Sequence, residues 1–249
     1  MTTPTPTWTE TALQYLSRML TRNEGAIAQA SAWCADSLAA DGLVHTFGSG
    51  HSRIPVEEFF PRYGSYPGFH PIVELSTSFH TQVVGANGQR QAMFIERVPG
   101  LAEQVLANYS FAPQDLLVCF SVSGQSALPV ELLRGFGERG LRTIAVTSAH
   151  PDNALAQAAD LVIDLMIDGP DAIVSVPGVE HPVGPVSSFL YVAVVNEIKV
   201  RTAALLAERG APPLVLVGAR DVGAEASRAA FDAAYAEHAR RASTRLAGS

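Results

Sequence analysis

Short apolar runs, each stopping at a glycine- or serine-rich turn and followed by a helical pattern, constrain this chain more than any other feature. LVHTF (43–47) runs into Gly48-Ser49-Gly50-His51-Ser52, and DLLVCF (115–120) runs into Ser121-Val122-Ser123-Gly124-Gln125-Ser126. RTIAVTS (142–148) and DLVIDL (160–165) follow the same course, PIVEL (71–75) reads as a further strand, and LVLV (214–217) is a candidate sixth. A continuous apolar strand needs cover on both faces, as in a parallel sheet. Strands alternating with helices build such a sheet through right-handed crossovers. Helices are expected over 54–62, 99–108, 128–139, 153–158 and 186–208, so the fold class is α/β.

Two helical segments flank this core. From 8 to 40 the pattern is helical, with Leu13, Leu20, Ile27 and Cys34 at seven-residue spacing and Gly25 as a candidate break. A charged, amphipathic helix is expected over 225–241. Residues 76–97 and 166–185 read as irregular. The expected organisation is one domain over 1–249, with a core at 43–208, an N-terminal helical arm at 8–40 and a C-terminal helical extension at 211–249.

Composition excludes several functions. The chain has 249 residues and a net charge of -7; 17 side chains are Lys or Arg, and Lys199 is the one lysine. A nucleic-acid binder usually carries a clustered basic excess, and the longest basic run here is Arg240-Arg241. A Schiff-base mechanism would have to use Lys199. Two cysteines, Cys34 and Cys119, are too few for a disulfide scaffold or a four-thiolate zinc site, and both read as reduced core thiols. No two histidines have helical metal-ligand spacing, so neither a metal nor another cofactor is expected. The first ten residues lack the basic region and apolar core of a signal peptide. The apolar run 189–195 is seven residues, against about 20 for a membrane span. A cytoplasmic protein with no membrane partner is the expectation.

The chemistry concentrates in the two turns. SVSGQS places three hydroxyls and a permissive glycine where a strand feeds a helix. Free N–H groups and the positive helix end favour an anion there, and hydroxyls add donors without charge. GSGHS sits in the same relation to its own strand and helix. It lacks the third glycine of a dinucleotide fingerprint, and no GxxxxGK is present. In open α/β sheets ligands sit outside the carboxyl ends of the strands, so both turns can line one crevice.

GSGHS, the Glu57-Glu58 pair on the next helix, SVSGQS, RTIAVTS and the ADLVID strand together resemble the sugar isomerase (SIS) domain over about 43–208. Ser76–His80 and VGPVSS (183–188) resemble a bacterial group within that family. Its relatives include phosphoheptose isomerase and N-acetylmuramate 6-phosphate etherase. The resemblance implies a flavodoxin-like three-layer sandwich around a five-stranded parallel sheet, a sugar-phosphate ligand, and a homodimer or homotetramer. The phosphate loop carries onto Ser121, Ser123, Gly124 and Ser126, and the sugar-contacting loop onto Ser49, Gly50 and Ser52. Ser187 and His181 are further candidate contacts.

Such chemistry begins with removal of an acidic C–H proton beside a carbonyl, which a carboxylate can perform. Glu58 is the first candidate and Glu57 the second. Glu96, upstream of Gly100, resembles the etherase's catalytic glutamate in placement. His51 and His80 are candidates for assisting ring opening as neutral imidazoles. His45 is expected to be structural, and His70, His150 and His238 to lie at the surface. Phosphoheptose isomerases carry a histidine on the helix matching 186–208, whereas no histidine occurs between 182 and 237 here. The expected activity is therefore elimination from a hexose or N-acetylhexosamine 6-phosphate, such as N-acetylglucosamine 6-phosphate, by glutamate abstraction of the C2 proton. An aldose–ketose isomerase and a non-catalytic phosphosugar sensor are the alternatives.

Overall fold

The computed structural model describes residues 7–78 and 88–246. Five parallel strands form one sheet in the order β2-β1-β3-β4-β5: β1 (Val44–Gly48), β2 (Phe69–Pro71), β3 (Leu116–Phe120), β4 (Arg142–Thr147) and β5 (Leu161–Asp164). Alternation along β3 divides the core. Leu116, Val118 and Phe120 face α1 (Trp8–Ala39) and α8 (Ser187–Glu208). Leu117 and Cys119 face α5 (Leu101–Leu106) and α6 (Ala127–Glu138). Side chains on a strand point alternately to opposite faces, and here both faces are covered, so every residue of β1 and β3 is buried. Cys34 and Cys119 are free and buried in these two cores, and burial raises both thiols, Cys34 to about 12.

The N-terminal arm is one uninterrupted helix. A capping box starts it: Glu10 N–H donates to the Thr7 hydroxyl, and Thr7 N–H donates to the Glu10 carboxylate. Gly25 does not break it, because packing against α8 outweighs a glycine penalty of about 1 kcal/mol. The buried stripe runs through Ala12, Met19, Asn23, Ile27, Ala30, Cys34 and Leu38, while Leu13 is exposed. Asn23 meets the sheet's edge: its Nδ2 donates to Asp164 O at 2.7 Å and its Oδ1 accepts from Asp164 N–H at 2.8 Å. One side chain thus occupies strand-pairing positions that an edge leaves open.

Four expected elements differ. The strand expected at 71–75 is β2, ending at Pro71. Beyond it the Glu74 carboxylate accepts from Ser76 and Thr77 N–H and starts the turn α3 (Leu75–Ser78). The stretch read as irregular up to 97 contains α4 (Gln89–Ile95). The 166–185 segment contains an antiparallel pair, β6 (Ala172–Val174) with β7 (Val183–Pro185). LVLV is no strand of the sheet; Leu216 pairs through its backbone with Gly64 and Ser65.

The last helix, α10 (Ala224–Ser243), closes the amino end of the sheet. There Asp115 accepts from Arg245 Nε at 2.7 Å, from Leu43 and Ala112 N–H at 2.8 and 2.9 Å, and contacts His45 Nε2 at 3.4 Å. Burial opposes the Asp115 charge, but His45, Arg245 and the two N–H groups outweigh it and hold the carboxyl down to about 2. His45 is buried. His70 and His238 are not free at the surface: their rings stack, with Nδ1 and Nε2 3.2 Å apart. Burial, then the neighbouring His45 and His238, lowers His70 to about 4. Burial likewise lowers His45 and His238.

Candidate functional site

The carboxyl ends of β1, β3 and β4 open onto one cavity of about 630 Å³. Each strand delivers a turn to it. After β1, Gly48 lies so close to the Ser52 backbone that a Cβ would collide with it. This close approach folds GSGHS into a single 3-10 turn (Gly50–Arg53) ahead of α2 (Ile54–Phe59) and puts Ser49, Gly50, His51 and Ser52 on the cavity wall. After β3, Gly124 takes φ +60, and a Cβ there would strike the Asn153 side chain. Gly124 N–H donates to Ser121 Oγ at 3.2 Å, closing the turn. Ser121, Ser123 and Ser126 line the cavity, and Ser126 is the N-cap of α6.

Glu96 spans the two turns. Its Oε2 accepts from Ser49 Oγ at 2.5 Å and its Oε1 from Ser126 Oγ at 3.0 Å. The Glu96 carbonyl also accepts from Leu128 N–H at 2.9 Å, fixing the end of α4 to the first turn of α6. The carboxylate is therefore positioned by two neutral hydroxyls at the wall of an open cleft. A carboxylate so placed can accept a proton from a ligand lying between the turns, provided the ligand displaces or shares those hydroxyls.

The other glutamates point elsewhere. Glu58 does not line the cavity. Its Oε2 accepts from Arg62 at 2.8 Å, and its Oε1 from Asn196 Nδ2 at 3.2 Å and Lys199 Nζ at 3.3 Å. Lys199 Nζ also donates to the Glu58 carbonyl at 2.8 Å. Burial works against the Glu58 charge, but Lys199, Asn196 and Arg62 prevail and hold the carboxyl below its ordinary range. Lys199, 5% exposed, is lowered by burial despite Glu58. This makes the single lysine a structural ion pair, with Glu58 as its partner; Glu197 binds Arg201 instead. Glu57 is exposed, pairs with Arg53 at 3.3 Å, and borders a separate apolar hollow of about 200 Å³.

The remaining candidates divide. His51 lines the cavity, and His80 lies outside the described residues. His181 is exposed beside Glu180 and does not line it. Ser187 is buried behind the wall, donating to Asp171 Oδ2 at 2.6 Å, while Asp171 itself faces the cavity. Sequence reasoning missed Ser148, His150 and Asp171 as lining residues. Ser148 was within reach of it, because it ends RTIAVTS and so sits at a strand's carboxyl end.

The model of the SIS domain matches residues 7–148. A UPF0309 protein of Streptomyces griseus is 32% identical over 227 residues, covering 87% of this chain and 89% of the relative. A UPF0309 protein of Brucella anthropi is 32% identical over 208 residues, covering 79% and 84%. Among solved structures, phosphoheptose isomerases of Neisseria gonorrhoeae and Francisella tularensis superpose with TM-scores of 0.52 and 0.51. They are 16% and 18% identical, covering 80% and 78% of this chain and 94% of each structure, a likeness of fold.

Proposed function

The chain belongs to the SIS domain family, and on that premise we propose that it processes a hexose or N-acetylhexosamine 6-phosphate. The phosphate lies on the Ser121–Ser126 turn, where hydroxyls and the α6 N-terminus supply donors. The opened sugar reaches toward Ser49 and His51. Glu96 is the base in this reading, replacing Glu58. The observation that carries it is the Glu96 carboxylate held between Ser49 and Ser126, in contact with both turns.

In the proposed reaction Glu96 takes the C2 proton of the open-chain aldehyde, and the electron pair forms an enolate with the C1 carbonyl. Collapse of the enolate re-forms the carbonyl, creates a C2–C3 double bond and expels the C3 hydroxyl. An acid protonates that hydroxyl as it leaves, so one water is lost; His51 lies on the same wall. An isomerase would instead return the proton to C1. Incubation with N-acetylglucosamine 6-phosphate followed by mass spectrometry separates these outcomes. Loss of one water supports elimination; a parallel incubation with glucose 6-phosphate, whose C2 carries a hydroxyl, that gives an unchanged mass and a new ketose signal replaces it with isomerisation; and binding of either compound without turnover leaves a sensor. The cytoplasm and a homo-oligomeric state belong to the same proposal. Two buried free thiols are consistent with a reducing compartment. Among the described residues no helix is long and apolar enough to cross a membrane.

A further inference from the structure

Ser148 differs from every other hydroxyl of the cleft. It is 1% exposed, it lines the cavity, and its Oγ has no hydrogen-bond partner. Its backbone is engaged: the N–H donates to Val122 O at 3.1 Å, and the carbonyl accepts from Asn153 Nδ2 at 2.8 Å. The preceding Thr147 is satisfied, its Oγ1 donating to Val122 O and accepting from Asn153 Nδ2. Ser37, Thr46, Ser65 and Tyr191 also bury an unpartnered side-chain oxygen among the described residues, but none of them lines the cleft. A buried hydroxyl without a partner is a cost to the fold. At a cavity wall a ligand can supply the missing partner.

The position of Ser148 is fixed relative to the β3 turn. Asn153 is fully buried, and its Nδ2 lies 3.2 Å from Ser123 O and 2.8 Å from Ser148 O. Its Oδ1 accepts from Ala156 N–H at 2.8 Å, anchoring the amide to the first turn of α7 (Ala154–Ala158). One side-chain nitrogen therefore joins the walls that follow β3 and β4, and Ser148 stands beside Ser123. Ser148 is also distant in role from Glu96, which contacts the β1 and β3 turns.

We propose that Ser148 is a fourth phosphate ligand, donating its Oγ–H to the phosphate group held by the Ser121–Ser126 turn. This rests on the phosphosugar reading given above. It adds the end of β4 to a subsite otherwise made by one strand's turn, and it makes the subsite selective for a group able to accept from both walls.

The test measures calorimetric affinity for inorganic phosphate and for N-acetylglucosamine 6-phosphate in the wild type, Ser148→Ala and Ser123→Ala, together with each free protein's Tm. Ser148→Ala is expected to weaken both ligands by about tenfold, as for one hydrogen bond to a charged group. Its Tm without ligand is expected to stay level or rise, because an unsatisfied hydroxyl is replaced by a methyl. Unchanged affinity in Ser148→Ala, with Ser123→Ala weakened, overturns the role of Ser148 and leaves the phosphosugar reading standing. Weakening confined to the sugar phosphate also overturns the phosphate contact. So does lost binding accompanied by a Tm fall of several degrees, which marks a structural role. If the wild type binds neither compound, the phosphosugar reading itself fails and Ser148 with it.

Discussion

Two carboxylates sit at opposite ends of the same parallel sheet and are held by opposite means. Glu96, at the carboxyl end, is held by two serine hydroxyls at the wall of a cleft. Asp115, at the amino end, is 2% exposed and meets a guanidinium, an imidazole and two backbone N–H groups. Hydroxyl partners rotate and can donate elsewhere, so the Glu96 charge stays available to an incoming ligand. The Arg245 guanidinium neutralises Asp115 where it stands and commits it to the fold. Glu58 is built like Asp115: Lys199 and Arg62 hold it although it sits only six residues beyond the first serine turn. The difference lies in what the partner can give up, and proximity along the chain does not report it.

The comparison is most exposed to Glu96→Gln. Loss of a general base costs about 10²–10⁴ in rate, and the Tm should barely move because the amide oxygen still accepts from one serine. Turnover within threefold of wild type would remove Glu96 from the chemistry. Asp115→Ala should do the reverse, removing about 3–5 kcal/mol of stability by leaving Arg245 without its partner, with sugar-phosphate affinity unchanged in urea-free buffer. Glu58→Gln comes next: a loss of about 3 kcal/mol or less, since the amide retains one acceptor for Lys199, with turnover kept. If Glu58→Gln abolished turnover at unchanged stability, the sorting of the two glutamates would be inverted.

The smallest effect is a pH slope. His70 titrates at about 4 in the fold against an ordinary 6.5, so the unfolded chain takes up the proton first. Stability is therefore full above 6.5 and falls as pH drops from 6.5 toward 4, by at most about 1.4 kcal/mol per pH unit for one imidazole. His45 and His238 are lowered too and act in the same direction. Asp115 adds its own loss only as pH falls from 3.8 toward 2. Urea midpoints at pH 7, 6 and 5 report the slope, and His70→Leu should flatten it. An unaltered slope in that variant would show that His70 does not govern acid sensitivity.

The strands β1, β3, β4 and β5 were legible as apolar runs, because burial on both faces leaves no alternation to blur them. Both serine turns were legible for the same reason: a run that stops at Gly and Ser marks a strand's carboxyl end. Glu96 was visible only through resemblance. Glu58 was misplaced because helical spacing measures distance from the loop and not direction. Glu58 turns to Arg62 on one side and to Asn196 and Lys199 of α8 on the other, and Lys199 lies 141 residues away. Glu74, which caps the turn after β2, acts through side-chain hydrogen bonds that an apolar pattern does not register.

Arg245 follows Asp115 by 130 residues. A ribosome adds about 5–20 residues per second, so the buried acid waits on the order of ten seconds or more for its guanidinium. During that interval the residues of β1, β3 and both serine turns have been synthesised, while Asp115 has no guanidinium to meet. The order of synthesis thus supplies the residues of the cleft before the arginine that holds Asp115 at the other end of the sheet.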